Sequence, residues 1–182
     1  MSTIKLLEWA PTKFQKVGDI RFAYRELGDA SGVPVIFLNH LAAVLDNWDP
    51  RVVDGIAAKR RVIVFDNRGI GASEGATPDT IEAMARDAIA FIRALGFEQV
   101  DLLGFSLGGM VSQIIVELEP QLVRKMILAG TGPAGGVGID KVTKVTIVDM
   151  LKGTLTFKDP KQYLFFTQRP MAGGRPGSSS SG

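Results

Sequence analysis

The stretch that decides the fold is Val100-Asp101-Leu102-Leu103-Gly104-Phe105-Ser106-Leu107-Gly108. Its first half is a short apolar run bounded by turn signals, which predicts a strand buried on both faces. Its second half has the pattern G-x-S-x-G, in which the glycines let neighbouring backbones pass without a Cβ clash. The pattern predicts a sharp turn from strand to helix that presents Ser106 as a nucleophile. The alternative is a glycine-rich turn with an incidental serine.

The residues after the serine have the periodicity of a helix. Apolar side chains recur at steps of three and four positions, and Pro120 ends the pattern. The G-x-S-x-G pattern therefore lies between a strand and a helix, which favours a nucleophilic serine over an incidental one. The apolar positions are Leu107, Met110, Val111, Ile114, Ile115 and Leu118.

Other strand patterns lie on both sides of this turn. Residues Ile20–Leu27 alternate apolar and polar side chains, which predicts a half-exposed, antiparallel strand. Residues 33–38 and 61–65 are continuous apolar runs, as expected for central parallel strands covered by helices on both faces. Residues Val123–Ala129 predict one more buried strand.

A helix is predicted over residues 79–95, where apolar side chains again recur at helical steps. Asp79 and Glu82 have the spacing of a capping box, and Gly96 is a typical C-terminal stop. Strands that alternate with helices predict an α/β fold with a mostly parallel sheet and helices on both faces.

Composition limits the function classes. A chain of 182 residues with 46% hydrophobic content can bury one core. Its 21 basic and 19 acidic residues are interspersed, so nothing points to nucleic acid or an anionic membrane as a partner. The chain has no cysteine and one histidine, so we predict no disulfide, no metal site and no cofactor. The first residues are too charged for a signal peptide or membrane span, which predicts a soluble cytoplasmic protein.

Three motifs carry a family resemblance. They are residues 39–42 (NHLA) after a buried strand, residues 66–73 (DNRGIGAS) after the next one, and the serine pentapeptide. In this order and spacing, over roughly residues 15–135, the chain resembles the α/β-hydrolase family, in its branch of small esterases, lactonases and cofactor-free haloperoxidases. The resemblance implies about six of that fold's usual eight strands, followed by a partial helical cap.

The resemblance also implies roles for residues. Ser106 would be the nucleophile, and the backbone N–H groups of Ala42 and Leu107 would form the oxyanion hole. Leu41 stands where the family usually has glycine. The turn at residues 66–73 is expected to be structural, with Arg68 held by backbone carbonyls or a carboxylate.

The sequence leaves open which residues would serve as the catalytic base and acid. His40 is the one imidazole of the chain and precedes Ser106, whereas the family places its catalytic histidine after the last strand. His40 is thus either a structural residue or the base. Asp140, Asp149 and Asp159 follow Ser106, but none stands at a recognisable strand end.

The composition of the C-terminal third predicts how the chain is divided. We predict an α/β-hydrolase core over residues 1–135, a cap-like helical segment over 136–170 and a flexible tail over 171–182. The chain resembles a hydrolase truncated before the last strands; the alternative is a natural short protein with a flexible tail.

Two functions remain at this stage. One is a serine hydrolase that cleaves small acyl esters weakly, because the family's histidine and acid are absent. The other is an inactive truncated hydrolase that self-associates. In either case we expect a homodimer, formed through an exposed sheet edge at Val123–Ala129 or by exchange of the segment after Thr131.

Overall fold

The computed structural model describes residues 7–29 and 31–136, which contain six strands and three α-helices. The chain divides into two compact units, Met1–Ala134 and Gly135–Gly182, and all described elements lie in the first. The predicted cap-like segment and tail lie outside the described residues, apart from Gly136. The elements are β1 (Lys13–Val17), β2 (Ile20–Leu27), β3 (Val35–Leu38), α1 (Pro50–Ala57), β4 (Val62–Phe65), α2 (Ile81–Ala94), β5 (Val100–Phe105), α3 (Leu107–Leu118) and β6 (Val123–Ala129).

The strands form one sheet in the order β1-β2-β4-β3-β5-β6. β2 pairs antiparallel with both β1 and β4, as its alternating pattern predicts. The prediction that β2 is half-exposed is wrong, because Phe22 and Tyr24 are buried in one core cluster and Ala23 in the other. The pairs β3–β4, β3–β5 and β5–β6 are parallel. The predicted mostly parallel sheet is confirmed, and the carboxyl ends of β3, β4 and β5 meet at one edge, where the three sequence motifs follow.

Helices cover the sheet on both faces. Side chains of α2 and α3 form one core cluster with Ile36 and Leu38 of β3. Val53 and Ala57 of α1 form the other cluster with Phe37 and its neighbours. Because residues 36, 37 and 38 alternate between the two clusters, β3 is buried on both faces, as its continuous apolar run predicts.

The start of α2 corrects one detail. The predicted capping box of Asp79 and Glu82 is wrong, because the N-cap is Thr80, whose hydroxyl accepts the Ala83 N–H at 3.1 Å. Thr80 has extended backbone angles, which aim its short side chain at the first turn. The predicted stop is confirmed: Gly96 follows the last turn with φ of +83°.

β6 also departs from its prediction. It spans Val123–Ala129 as predicted, but it is not buried, since residues 124–128 are all exposed. The reason is its place at the end of the sheet, where it pairs with β5 on one side. Among the described residues no strand pairs with its outer edge.

Candidate active site

Ser106 lies on a strained turn between β5 and α3. Its φ of +54° and ψ of −115° are values that an L-residue rarely adopts. The turn is held at its base, because Ser106 N–H donates to Ala129 of β6 at 2.9 Å and Ser106 carbonyl accepts the Gly109 N–H at 2.9 Å. This is the geometry of a nucleophile elbow, in which the hydroxyl stands at the tip of the turn.

Two glycines make the turn sterically feasible. A Cβ on Gly108 would lie 2.0 Å from the carbonyl oxygen of Leu38, because α3 begins against the end of β3. A Cβ on Gly104 would lie 2.5 Å from the carbonyl oxygen of Gly108. Both positions therefore need glycine for close backbone approach. The sequence interpretation of a nucleophile elbow, rather than a loose glycine-rich turn, agrees with this packing.

The loop after β3 holds the second strained residue. Ala43 N–H donates to His40 carbonyl at 3.2 Å, which closes a turn with Ala42 in its third position. Ala42 has a φ of +56°, the sign that this position of a type II turn requires. In the described part of the chain, Ala42 and Ser106 are the only non-glycine residues with positive φ. Such strain is concentrated at functional sites in proteins.

The two predicted oxyanion donors have their N–H groups available. Leu107 is the first residue of α3, so its N–H has no acceptor inside the helix. Neither it nor the Ala42 N–H donates to another group within the described residues. Backbone N–H groups of this kind can stabilise a developing oxyanion.

Asn39 and Trp48 fix this loop, a role that the sequence interpretation missed. Asn39 is 2% exposed, and its amide donates to Phe65 carbonyl at 2.9 Å and Ala43 carbonyl at 3.4 Å. Trp48 donates its indole N–H to the Asn39 side-chain oxygen, and its ring contacts Phe105, the residue before the serine. The pair therefore links the Ala42 loop to the elbow. The sequence signal that could have indicated this role is an asparagine directly after a buried strand.

Asp66 holds the other side of the same loop. Its carboxylate accepts the Leu45 N–H at 2.7 Å and the Ala72 N–H at 2.9 Å, so it joins the loop after β3 to the turn after β4. Burial raises the pKa of Asp66, and the two backbone hydrogen bonds oppose that rise. Arg68 of the same turn lies 2.8 Å from the Asp87 carboxylate. The turn is thus structural, as expected.

His40 lies beside the elbow. Its Nδ1 is 3.1 Å from the Leu41 carbonyl, and since a carbonyl only accepts, Nδ1 carries the hydrogen. In the neutral ring this leaves the lone pair on Nε2. The ring packs edge-on against Phe105 with centroids 5.5 Å apart. Both predicted roles of His40, structural and basic, are compatible with this placement.

The remaining candidate residues lie elsewhere. Asp140, Asp149 and Asp159 fall outside the described residues. Within the described ranges, no three His, Cys, Asp or Glu side chains are close enough to share a metal ion. The loop after β6 is held by Gln113 of α3, whose amide donates to Gly132 carbonyl at 2.9 Å and accepts the Ala134 N–H at 3.0 Å.

Known proteins of one class share this architecture. The family described as alpha/beta hydrolase fold matches residues 33–166. An alpha/beta hydrolase fold protein from Chitinophaga pinensis has a TM-score of 0.77 and 39% identity, over 88% of this chain and 57% of that one. BpoC of Mycobacterium tuberculosis, provisionally named a non-heme bromoperoxidase, is 35% identical over 113 residues, which are 62% of this chain and 42% of BpoC. RutD of Rhizobium rhizogenes, provisionally named a carbamate hydrolase, is 35% identical over 83 residues, 44% of this chain and 31% of RutD.

The chain belongs to the α/β-hydrolase family, because the family match covers more than half of it. It spans less than half the length of these two curated relatives. None of the helices in the described ranges is long and apolar enough to cross a membrane.

Proposed function

We propose that this protein is a serine hydrolase that cleaves small acyl esters through Ser106. The observation that carries the proposal is the backbone of Ser106, a non-glycine residue held at φ +54° between β5 and α3. A glycine would adopt this φ without strain, whereas a serine there presents its hydroxyl to a substrate. The printed names of the relatives differ in their reactions, so the proposal concerns acyl-ester chemistry and no particular substrate.

The proposed reaction has two steps. Ser106 Oγ attacks the ester carbonyl, and the hydroxyl proton passes to water or to an imidazole as the Oγ–C bond forms. The negative carbonyl oxygen is bound by the N–H groups of Leu107 and Ala42. Collapse breaks the bond to the leaving alkoxide or phenolate and leaves an acyl-serine. Water then attacks the acyl carbon, and release of the free acid restores Ser106.

We expect the chain to be a weak catalyst. An oxyanion hole and binding alone retain roughly 10³- to 10⁴-fold acceleration over water when triad members are removed. Activated esters suit such a site, because a nitrophenolate leaves without being protonated. The alternative function, an inactive chain that self-associates, draws support from the exposed β6.

Hydrolysis of p-nitrophenyl acetate tests the proposal. The wild type should exceed the buffer rate, and Ser106→Ala should remove that excess. Ser31→Ala is a matched control, since Ser31 is exposed in the loop before β3, at the opposite end of the parallel strands. Acetyl-Ser106 should accumulate and be found by peptide mass spectrometry. Equal rates for the wild type and Ser106→Ala contradict the proposal and favour the inactive chain.

His40 needs a separate test. We expect a structural role, because Nδ1 is bound within its own loop and the ring packs on Phe105. His40→Ala should therefore lower the free energy of unfolding and the activity together. A folded His40→Ala variant that loses all Ser106-dependent turnover identifies His40 as the base instead.

A further inference from the structure

The Ala42 loop is anchored by buried polar contacts on both sides of Ala42. On one side the Asn39 side-chain amide donates to Phe65 carbonyl at 2.9 Å. On the other side Leu45 N–H donates to the Asp66 carboxylate at 2.7 Å. Because Ala42 lies between these two anchors, the position of its N–H group depends on both of them.

The Asp66 anchor is rigid. Its second carboxylate oxygen accepts the Ala72 N–H at 2.9 Å. Its backbone is fixed as well, since its N–H donates to Ala23 carbonyl at 2.9 Å and its carbonyl accepts the Ser73 hydroxyl at 2.7 Å. Asp66 is 2% exposed, and a Cβ on Gly71 would lie 2.3 Å from one carboxylate oxygen. The carboxylate therefore has no room to move away from Leu45 N–H.

The contact needs the ionised form of the carboxyl group. Both partners are backbone N–H groups, and only a carboxylate accepts a hydrogen bond at each of its two oxygens without carrying a donor. A protonated carboxyl or an amide places a donor on one of its two atoms, so either Leu45 or Ala72 loses its acceptor. Burial raises the pKa of Asp66 and so disfavours the charged form that the two N–H groups require.

The charged side chains that act on Asp66 within the described ranges oppose each other. Asp46 of the Ala42 loop raises the pKa of Asp66, and Arg25 of β2 lowers it. These two side chains pair with each other at 2.6 Å. The balance at Asp66 is therefore set mainly by burial on one side and by the two backbone N–H groups on the other.

We propose that ionised Asp66 is a positioning residue for the reaction of Ser106, which acts through Leu45 N–H to hold Ala42 N–H at the oxyanion hole. The inference rests on the proposed hydrolase function, because the Ala42 donor has a role only in that reaction. Asp66 does not touch the substrate. Loss of its negative charge frees one side of the loop, which weakens the binding of the oxyanion in the transition state more than the binding of the ester.

Hydrolysis of p-nitrophenyl acetate by Asp66→Asn tests the proposal. At pH 7 its kcat should be about ten- to a hundredfold lower than that of the wild type, at or below the roughly 10²- to 10³-fold cost of deleting a donor, with KM changed less than about twofold. Asp87→Asn is the matched control. Burial also raises the pKa of Asp87, and its carboxylate binds Arg68 of the same turn at 2.8 Å. A folded Asp66→Asn with unchanged kcat, or equal losses in both variants, overturns the proposal.

The pH profile gives a readout that a purely structural contact would not move. The wild-type kcat should fall in acid as Asp66 is protonated, at a pKa above the usual aspartate value of about 3.9. This step should be missing from Asp66→Asn and kept in Asp87→Asn. The same acid profile in the wild type and Asp66→Asn overturns the proposal.

Amide signals of the loop test the contact without turnover. In the wild type the amide protons of Leu45 and Ala72 should shift with one shared pKa, that of Asp66. A Leu45 amide that does not follow Asp66 overturns the proposal, and this measurement needs no variant.

Hydrogen exchange in Asp66→Asn then shows whether the loop is released. Ala43 N–H, which donates to His40 carbonyl in the turn, should exchange faster than in the wild type. Val35 N–H, which donates to Arg61 carbonyl at 2.8 Å, should not change. Unchanged exchange at Ala43 overturns the inference. Faster exchange at Val35 as well means that the whole fold is loosened, and the wild-type titration then decides.

The two proposals fail in different ways. A wild type no faster than Ser106→Ala contradicts the proposed function and with it this inference. A wild type whose turnover depends on Ser106, with unaltered kinetics in Asp66→Asn, contradicts this inference alone.

Discussion

Residues 36–38 of β3 and 126–128 of β6 occupy the same three levels of the sheet, since both align with residues 102–104 of β5 between them. The two triplets are equally apolar. Those of β3 are at most 1% exposed, however, and those of β6 are at least 36% exposed. An apolar run therefore predicts a strand, while its burial depends on what lies beside that strand. The candidate site residues Ala42 and Ser106 follow the buried strands β3 and β5.

The largest effect on stability should come from truncating one of two leucines that lie at the same level of the sheet, one on a buried strand and one on the exposed strand. Leu38 and Leu128 both align with Gly104. Leu38→Ala empties a buried site and should lower the free energy of unfolding by about 3–5 kcal/mol. Leu128→Ala removes an exposed side chain and should cost less than about 1 kcal/mol of intrinsic stability. Urea unfolding at one protein concentration measures both, and equal losses would mean that β6 is covered.

Adding a methyl group should give the next largest effect. Gly108→Ala places a Cβ against the Leu38 carbonyl, so the elbow or β3 must shift. We expect it to lower the free energy of unfolding by about 2–3 kcal/mol and to abolish the proposed esterase activity. Gly55→Ala is the matched control, because Gly55 lies in α1 with open space around its Cβ position. Helix propensity there should stabilise the chain by about 0.5–1 kcal/mol. A Gly108→Ala variant as stable as Gly55→Ala would contradict the tight elbow.

The fold was predictable where one local pattern decides an element. The continuous runs of β3 and β4, the alternation of β2 and the period of α3 each needed only their own residues. β1 was not predicted, because Lys13–Val17 is mostly polar and is a strand only through its pairing with β2. α1 was also missed, although Asp49 caps it and Pro50 occupies its first position.

The site was predictable to a smaller extent. The strained turn at Ser106 was predictable because it is a local pattern, in which glycine spacing and strand-to-helix context coincide; the role of Ser106 as nucleophile stays a prediction. Asn39 and Trp48 were not found, because their hydrogen bond depends on how the loop folds back over nine residues. The exposure of β6 was also beyond local reasoning, since burial depends on neighbours from other parts of the chain.

A smaller effect should follow from releasing the Ala42 loop. Trp48→Phe keeps an aromatic ring near Phe37 and Phe105 but removes the indole N–H, which leaves the buried Asn39 oxygen without that donor. An unsatisfied buried acceptor should cost about 1–2 kcal/mol. Because the loop carries a proposed oxyanion donor, kcat should fall more than KM rises. Phe14→Leu, at an exposed ring on β1, is the control. An unchanged kcat in Trp48→Phe would show that the hydrogen bond between Trp48 and Asn39 does not support the proposed oxyanion donor.

The smallest effect concerns the ionic link between the buried strands and the exposed one. Asp101 of β5 binds both Arg60, ahead of β4, and Arg124 of β6. Burial by itself would raise the pKa of Asp101, but hydrogen bonds and charge from Arg124 and Arg60 hold it below its usual value. Since both arginine side chains are more than a third exposed, water screens the pairs, and Asp101→Asn should cost about 1 kcal/mol at pH 7.

The sign of its pH dependence follows from that lowered pKa. A carboxyl whose pKa is lower in the folded chain stabilises the fold above its unfolded pKa, which is about 3.9 for aspartate. That contribution is lost as the pH falls through the folded pKa. The gap in unfolding free energy between the wild type and Asp101→Asn should therefore be full at pH 7 and shrink below about pH 4. Glu82→Gln, in an exposed pair with Arg86, should change stability by less than about 0.5 kcal/mol. A gap that widens in acid would contradict this account, because it would mean that the pKa of Asp101 is not lowered by Arg60 and Arg124 in the folded chain.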